Sequence, residues 1–187
     1  MLQALRTALL VTGLMAVAPT LVRAAEPAHA VGVRQVEFVT PTDRRPLSLV
    51  VFYPAAMADP AAPRLQLPFT INLDLLADAP FLQDGTRRPL VMLSHGRGSD
   101  AWQYAWLAQA LASQGFIVAG LNHYRANTYQ REIGWLANRI WQRPVNLGLG
   151  ISHLLGESAW SPHIDPERIG VTGHSQGGFT GRCQVGD

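Results

Sequence analysis

Apolar and polar positions along this chain change their period in a regular rhythm. Pro89-Leu90-Val91-Met92-Leu93-Ser94 is a continuous apolar run, as a strand buried on both faces requires. Asp100 follows as a helix cap, and Ala101, Trp102, Tyr104, Ala105, Leu107, Ala108, Leu111 and Ala112 recur on one helical face until Gly115 ends it. Phe116-Ile117-Val118-Ala119-Gly120-Leu121 is the next strand. Strand, helix and strand in this order predict parallel pairing with right-handed crossovers. Upstream, Arg34 to Phe38 alternates polar and apolar, while Leu47 to Tyr53 is largely apolar, and Pro41 to Pro46 makes a polar turn between them. That pattern suits an antiparallel pair at the side of a larger sheet. Pro54 to Arg88 is proline- and alanine-rich and then polar, a long excursion expected to hold at most short helices.

Later in the chain, Trp135, Leu136, Ile140 and Trp141 recur at helical spacing, as core or as one wall of an acyl pocket. A second helix is predicted from about Pro144 to Leu155, with Val145, Leu147, Leu149, Ile151 and Leu154 as its apolar face. Ser161 to Glu167 reads as a turn capped by Asp165, and Arg168-Ile169-Gly170-Val171-Thr172 as a further strand. The fold class that results is α/β, with a mostly parallel, doubly wound sheet.

The first 25 residues stand apart. Arg6, an apolar stretch from Ala8 to Leu21, and small residues around Arg23-Ala24-Ala25 have the charge, core and cleavage site of a secretory leader. Thr12, Gly13, Pro19 and Thr20 interrupt the stretch, so a stable membrane anchor is not expected. The sequence thus predicts a periplasmic or secreted protein with one domain over residues 26–187. All 15 basic residues are arginine, and losing Arg6 and Arg23 leaves 13 against 13 acidic residues. A near-neutral mature chain gives no electrostatic reason to bind nucleic acid. Cys183 is the single cysteine, which excludes an internal disulfide. No metal-ligand spacing or cofactor motif stands out, so neither a metal nor a cofactor is expected.

The candidate chemistry lies at Gly173-His174-Ser175-Gln176-Gly177, directly after the predicted strand. A serine hydroxyl becomes a useful nucleophile when a sharp strand-to-helix turn lifts it clear of the sheet. Glycine on both sides makes that turn possible, because a side chain there would collide with a neighbouring element. A tetrahedral intermediate also needs two preorganised N–H donors. Gln176 offers one, and His95-Gly96-Arg97-Gly98, leaving the strand that ends at Ser94, offers the other through the Arg97 backbone. His95 reads as a hydrogen-bonded structural histidine in preference to a base. Asp165 precedes the nucleophile and is not expected to be a triad acid.

Ser94-His95-Gly96-Arg97-Gly98-Ser99, Leu121-Asn122-His123, Arg143-Pro144 and the run from Ile164 to Thr180 together resemble a bacterial α/β-hydrolase. Within that fold the chain is similar to the predicted dienelactone-hydrolase and platelet-activating-factor-acetylhydrolase-like group, over about Val33 to Thr180. The resemblance implies a serine hydrolase of small-molecule carboxylic esters, with Ser175 as nucleophile and Gln176 and Arg97 as oxyanion donors. Non-catalytic ligand binding, and cleavage of peptides, amides or thioesters, are the alternatives on the same fold. Two departures from the group stand out. Asn146 occupies a position where an aspartate is common, two residues after the Arg-Pro pair. The fold's triad runs Ser, acid, His along the chain, yet only twelve residues follow Ser175 and none is histidine. The sequence is therefore expected to be an amino-terminal part of such a domain, cut after the nucleophile elbow.

Overall fold

A computed structural model describes residues 28–56, 63–67, 72–132 and 138–184. The expected leader, together with Trp135 and Leu136, lies outside the described residues. Six strands form one sheet: β1 (Ala30–Val39), β2 (Pro46–Ala55), β3 (Leu75–Ala77), β4 (Arg88–Ser94), β5 (Ile117–Asn122) and β6 (Ile164–Gly173). Their order across the sheet is β3-β1-β2-β5-β4-β6. β1 and β2 form the expected antiparallel hairpin, and β2 runs antiparallel to β5. β4 lies parallel to both β5 and β6, as the strand-helix-strand rhythm requires.

Two layers of side chains sandwich this sheet. Alternate residues of β2 divide between them: Leu47, Leu49, Val51 and Tyr53 point to one face, Val50 and Phe52 to the other. That division explains why β2 is apolar almost throughout, since both of its faces are covered. A 3-10 turn (Ala101–Tyr104) and helix α1 (Ala105–Ser113) cover one face with Ala101, Ala105, Ala108 and Ala112, which are small enough to bring the helix close. A Cβ on Gly120 would lie 2.7 Å from Ala101 Cβ, so the backbone of β5 packs directly against the Ala101 methyl. Helix α2 (Gln142–Gly156) covers the other face through Leu147 and Leu154, with Gly150 against Met92 and Leu49. Helix α3 (Gln176–Gln184) follows β6 directly.

Local signals account for the boundaries. Asp100 accepts from the Trp102 and Gln103 N–H groups at 2.9 and 3.2 Å, the expected cap. Gly115, at φ +97°, ends α1 where an L side chain would be strained. Asp165 accepts from the Glu167 N–H at 3.1 Å and pairs with Arg168 at 2.6 Å, although its segment already belongs to β6.

Two expectations change. The excursion between β2 and β4 contributes a strand, because Leu75 to Ala77 pairs in parallel with Val31 to Val33. The β1–β2 hairpin lies at the side of the sheet as expected, with the short β3 outside it. Val145 is 51% exposed and stands on the outer side of α2, while the buried Arg143 and Asn146 occupy inner positions. The helix behind the elbow continues through Cys183 to Gln184, despite the polar character of that stretch. Among the described strands, β6 pairs with β4 alone and forms one edge of the sheet.

Candidate active site

The Gly-x-Ser-x-Gly pentapeptide forms the hinge between β6 and α3. Ser175 has φ +54°, the left-handed region that costs a non-glycine residue of order 1–3 kcal/mol. Both flanking glycines are required by contact. A Cβ on Gly177 would lie 1.8 Å from the Ser94 carbonyl oxygen, and one on Gly173 would lie 2.5 Å from the Gly177 carbonyl carbon. The turn is closed by Gly177 N–H donating to His174 O at 2.8 Å and Gly178 N–H to Ser175 O at 3.0 Å. His174 and Ser175 are exposed at the carboxyl end of the sheet, where open α/β sheets bind ligands. Among the described residues no histidine is hydrogen-bonded to the Ser175 hydroxyl.

His95, Gly96, Arg97 and Gly98 leave β4 beside this hinge. Gly96 is held against the elbow: a Cβ there would meet His174 Nδ1 at 3.2 Å. Tyr104 Oη accepts from the Gly96 N–H at 3.3 Å and lies 3.1 Å from His174 Nδ1, so one phenol touches both motifs. Gly98 takes φ +65°, and its carbonyl accepts from Thr128 Oγ1 at 3.3 Å and Arg131 Nη2 at 3.0 Å. The Arg97 side chain is exposed, which leaves its backbone as the part that the loop positions.

Beneath the two motifs lies a buried polar network. Arg143, 3% exposed on α2, donates through Nη2 to Ser94 Oγ at 3.2 Å and to the His95 carbonyl. Its Nε donates to Thr180 Oγ1 at 3.1 Å, and Thr180 in turn donates to the Gln176 carbonyl at 2.9 Å. The Ser94 hydroxyl, which accepts from this guanidinium, also lies 2.9 Å from His123 Nε2 and is hydrogen-bonded to it. His95 Nε2 accepts from the His123 N–H at 3.3 Å, which leaves His95 Nδ1–H to donate to Gly96 O at 2.7 Å. His95 is thus committed to a neutral tautomer with structural partners at both nitrogens, while His123 is bonded through Nε2 and buries its Nδ1 without a partner among the described residues.

Electrostatics agree with that assignment. Burial, reinforced by the Arg143 charge, lowers His95 to about 4, and burial followed by Arg143 and His95 lowers His123 well below the usual range. Burial also brings Arg143 down to about 10, which leaves it charged at neutral pH. The unfolded chain binds protons at these histidines below about 6.5 while the folded chain resists them, so stability must fall with pH from there towards 4. From His95 alone, urea unfolding at pH 5 is expected to show about 2 kcal/mol less stability than at pH 7. An unchanged unfolding midpoint between those pH values would contradict a neutral buried pair.

The network includes residues that sequence patterns left without a role. His123, Tyr104 and Thr180 carry no spacing signal towards one another, and Arg143-Pro144 reads locally as a helix start. Of the stripe read as core or acyl wall, Trp135 and Leu136 lie outside the described residues. Trp141 is 57% exposed, with the Arg139 guanidinium 5.9 Å from its ring. A separate cavity of about 920 Å3 lies between the sheet and α1, lined by Leu65, Leu67, Leu73, Trp102, Trp106 and Tyr129, with no elbow residue in its wall. No group of three or more metal-ligating side chains occurs among the described residues.

This architecture, with a serine on a strained strand-to-helix turn after a parallel strand, is the α/β-hydrolase fold. Residues 65–132 match the family described as platelet-activating factor acetylhydrolase, isoform II. A ferulic acid esterase from Streptomyces cinnamoneus superposes with a TM-score of 0.69 at 24% identity, covering 87% of this chain and 57% of the esterase. DcsB, in complex with its substrate analogue, superposes at 0.54 with 16% identity over 82% of this chain and 41% of its own. The esterase Est22 superposes at 0.50 with 18% identity over 82% and 38%. The chain therefore spans between about two fifths and three fifths of the solved structures that it resembles. No curated protein sequence matches it.

Proposed function

We propose that this chain is part of a serine hydrolase that cleaves small-molecule carboxylic esters through an acyl-enzyme at Ser175. The observation that carries the reading is the backbone of Ser175, held at φ +54° between two glycines that admit no side chain. Strain of this kind persists where function needs the geometry. Here it presents an exposed hydroxyl at the end of the sheet. The Gln176 and Arg97 N–H groups are the proposed oxyanion donors, one at the first turn of α3 and one on the loop packed against His174. In this fold the acid and histidine of the triad follow the nucleophile along the chain. His95 and His123 precede it and are bonded elsewhere, so neither is assigned as the base. The arginine, apolar core and small-residue site within the first 25 residues support export to the periplasm or beyond.

The full-length protein, in which the acid and histidine that this fold places after the nucleophile can reach Ser175, tests this reading when incubated with a fluorophosphonate probe and a short-chain p-nitrophenyl ester beside Ser175→Ala. Labelling and turnover that disappear in the variant are the expected result. A folded wild-type sample in which Ser175 takes no label would overturn it.

A further inference from the structure

We propose that Arg143 is a positioning residue, a buried clamp that sets the oxyanion loop and the nucleophile helix in one relation to each other. The proposal rests on the hydrolase reading for its catalytic consequence, whereas the clamp itself is a structural claim. A single guanidinium reaches three elements that meet only at the candidate site. Nη2 bonds the last side chain of β4, Ser94, and the first carbonyl of the oxyanion loop, His95. Nε bonds Thr180 on α3, whose hydroxyl holds the carbonyl of Gln176 in the turn next to Ser175. Among the described residues no carboxylate pairs with Arg143, and its Nη1 is buried without a hydrogen-bond partner. Asn146, the neutral residue one turn further along α2, likewise buries its Oδ1 without a partner.

The absence of a counter-ion among the described residues changes what these bonds do. A buried ion pair would divide the guanidinium's donors between a carboxylate and the loop. Among the described residues the charge falls on neutral acceptors, Ser94, His95 and Thr180, and charge-assisted bonds of that type are roughly twice as strong as neutral ones. The bond to the His95 carbonyl fixes the plane of the His95–Gly96 peptide. That peptide's N–H meets Tyr104, which in turn meets His174 on the elbow. Arg143 therefore constrains the proposed donor residues from below, through Thr180 on one side and through the His95–Gly96 peptide on the other, and touches neither substrate nor nucleophile. Oxyanion donors act only when aimed at the developing charge, so the clamp governs the rate of acylation and not ground-state binding.

Arg143→Lys keeps the charge but loses the fork, and Arg143→Met loses both. Hydrogen exchange read at Gly96–Ser99 and Gln176–Thr180 is expected to quicken at least about 10-fold in both segments together in Arg143→Lys, while β1 and β2 keep their protection. Fluorophosphonate labelling is expected to slow about 10-fold in its maximal rate, with an unchanged half-saturating probe concentration and full final labelling. A merely structural role would lower the labelled fraction and leave the rate per folded molecule as it was. If Arg143→Met fails to fold, the lysine variant alone decides. Unchanged exchange in either segment, or exchange that rises equally throughout the sheet, would overturn the clamp. If wild-type Ser175 takes no label, the hydrolase reading fails and the exchange comparison still decides the clamp.

Discussion

Gly177→Ala is expected to destabilise the protein by about 4–5 kcal/mol or more, while Gly178→Ala, one residue on, is expected to be neutral or slightly stabilising. The contrast follows from what each new methyl would meet. At Gly177 it would lie 1.8 Å from the Ser94 carbonyl oxygen and 2.9 Å from that of His95, both backbone atoms that rotamer changes cannot move. At Gly178 the nearest atom is the Gly173 carbonyl oxygen at 3.5 Å, an ordinary contact. Relief at Gly177 would need α3 to lift from β4, breaking the Arg143–Thr180 bond on the way. For a domain of this size each kcal/mol shifts the melting temperature by roughly 2–4 °C. Thermal melts should therefore separate the two variants by some 10 °C or more. Equal melting temperatures would mean that the helix does not sit this close to β4.

Ser175→Gly is expected to raise stability by about 1 kcal/mol while abolishing fluorophosphonate labelling. Ser175 occupies a left-handed conformation at φ +54° that glycine adopts without strain. The hydroxyl contributes no hydrogen bond to the fold among the described residues, so its loss costs nothing there. The gain is reduced by glycine's greater freedom in the unfolded chain, which is why it stays near 1 kcal/mol. Urea unfolding of this variant beside wild type and Ser175→Ala measures it, since alanine removes the hydroxyl but keeps the strain. A glycine variant no more stable than the alanine variant would show that the turn stores no backbone strain at Ser175.

Much of this architecture was legible because it is written in local patterns. The run before His95, the small-residue face from Ala101 to Ala112 and the glycine at 115 each state their element within a few residues. The elbow was legible for the same reason: a strand, two glycines and a serine lie within one short stretch. Leu75 to Ala77 gave no such signal. Three residues have no measurable period, and they become a strand only because β1 offers an unpaired edge. Val145 failed in the opposite way. It fits an apolar stripe, but α2 is rotated so that Arg143 and Asn146 face inward, and a buried arginine is not a choice that hydrophobic periodicity anticipates.

By itself, then, the sequence determined the alternation of strands and helices, the place of the turn at Ser175 and the glycines that turn demands. These depend on steric limits and periodicities acting within a few residues. Tertiary structure alone decided what lies beneath the turn. Ser94 meets His123 across 29 residues, Arg143 across 49, and Arg143 meets Thr180 across 37. Those side chains carry no mutual spacing in the chain. They converge because parallel strands order their ends at one rim of the sheet, and α2 packs against that rim, where each buried polar group takes the partners that the packing brings within reach.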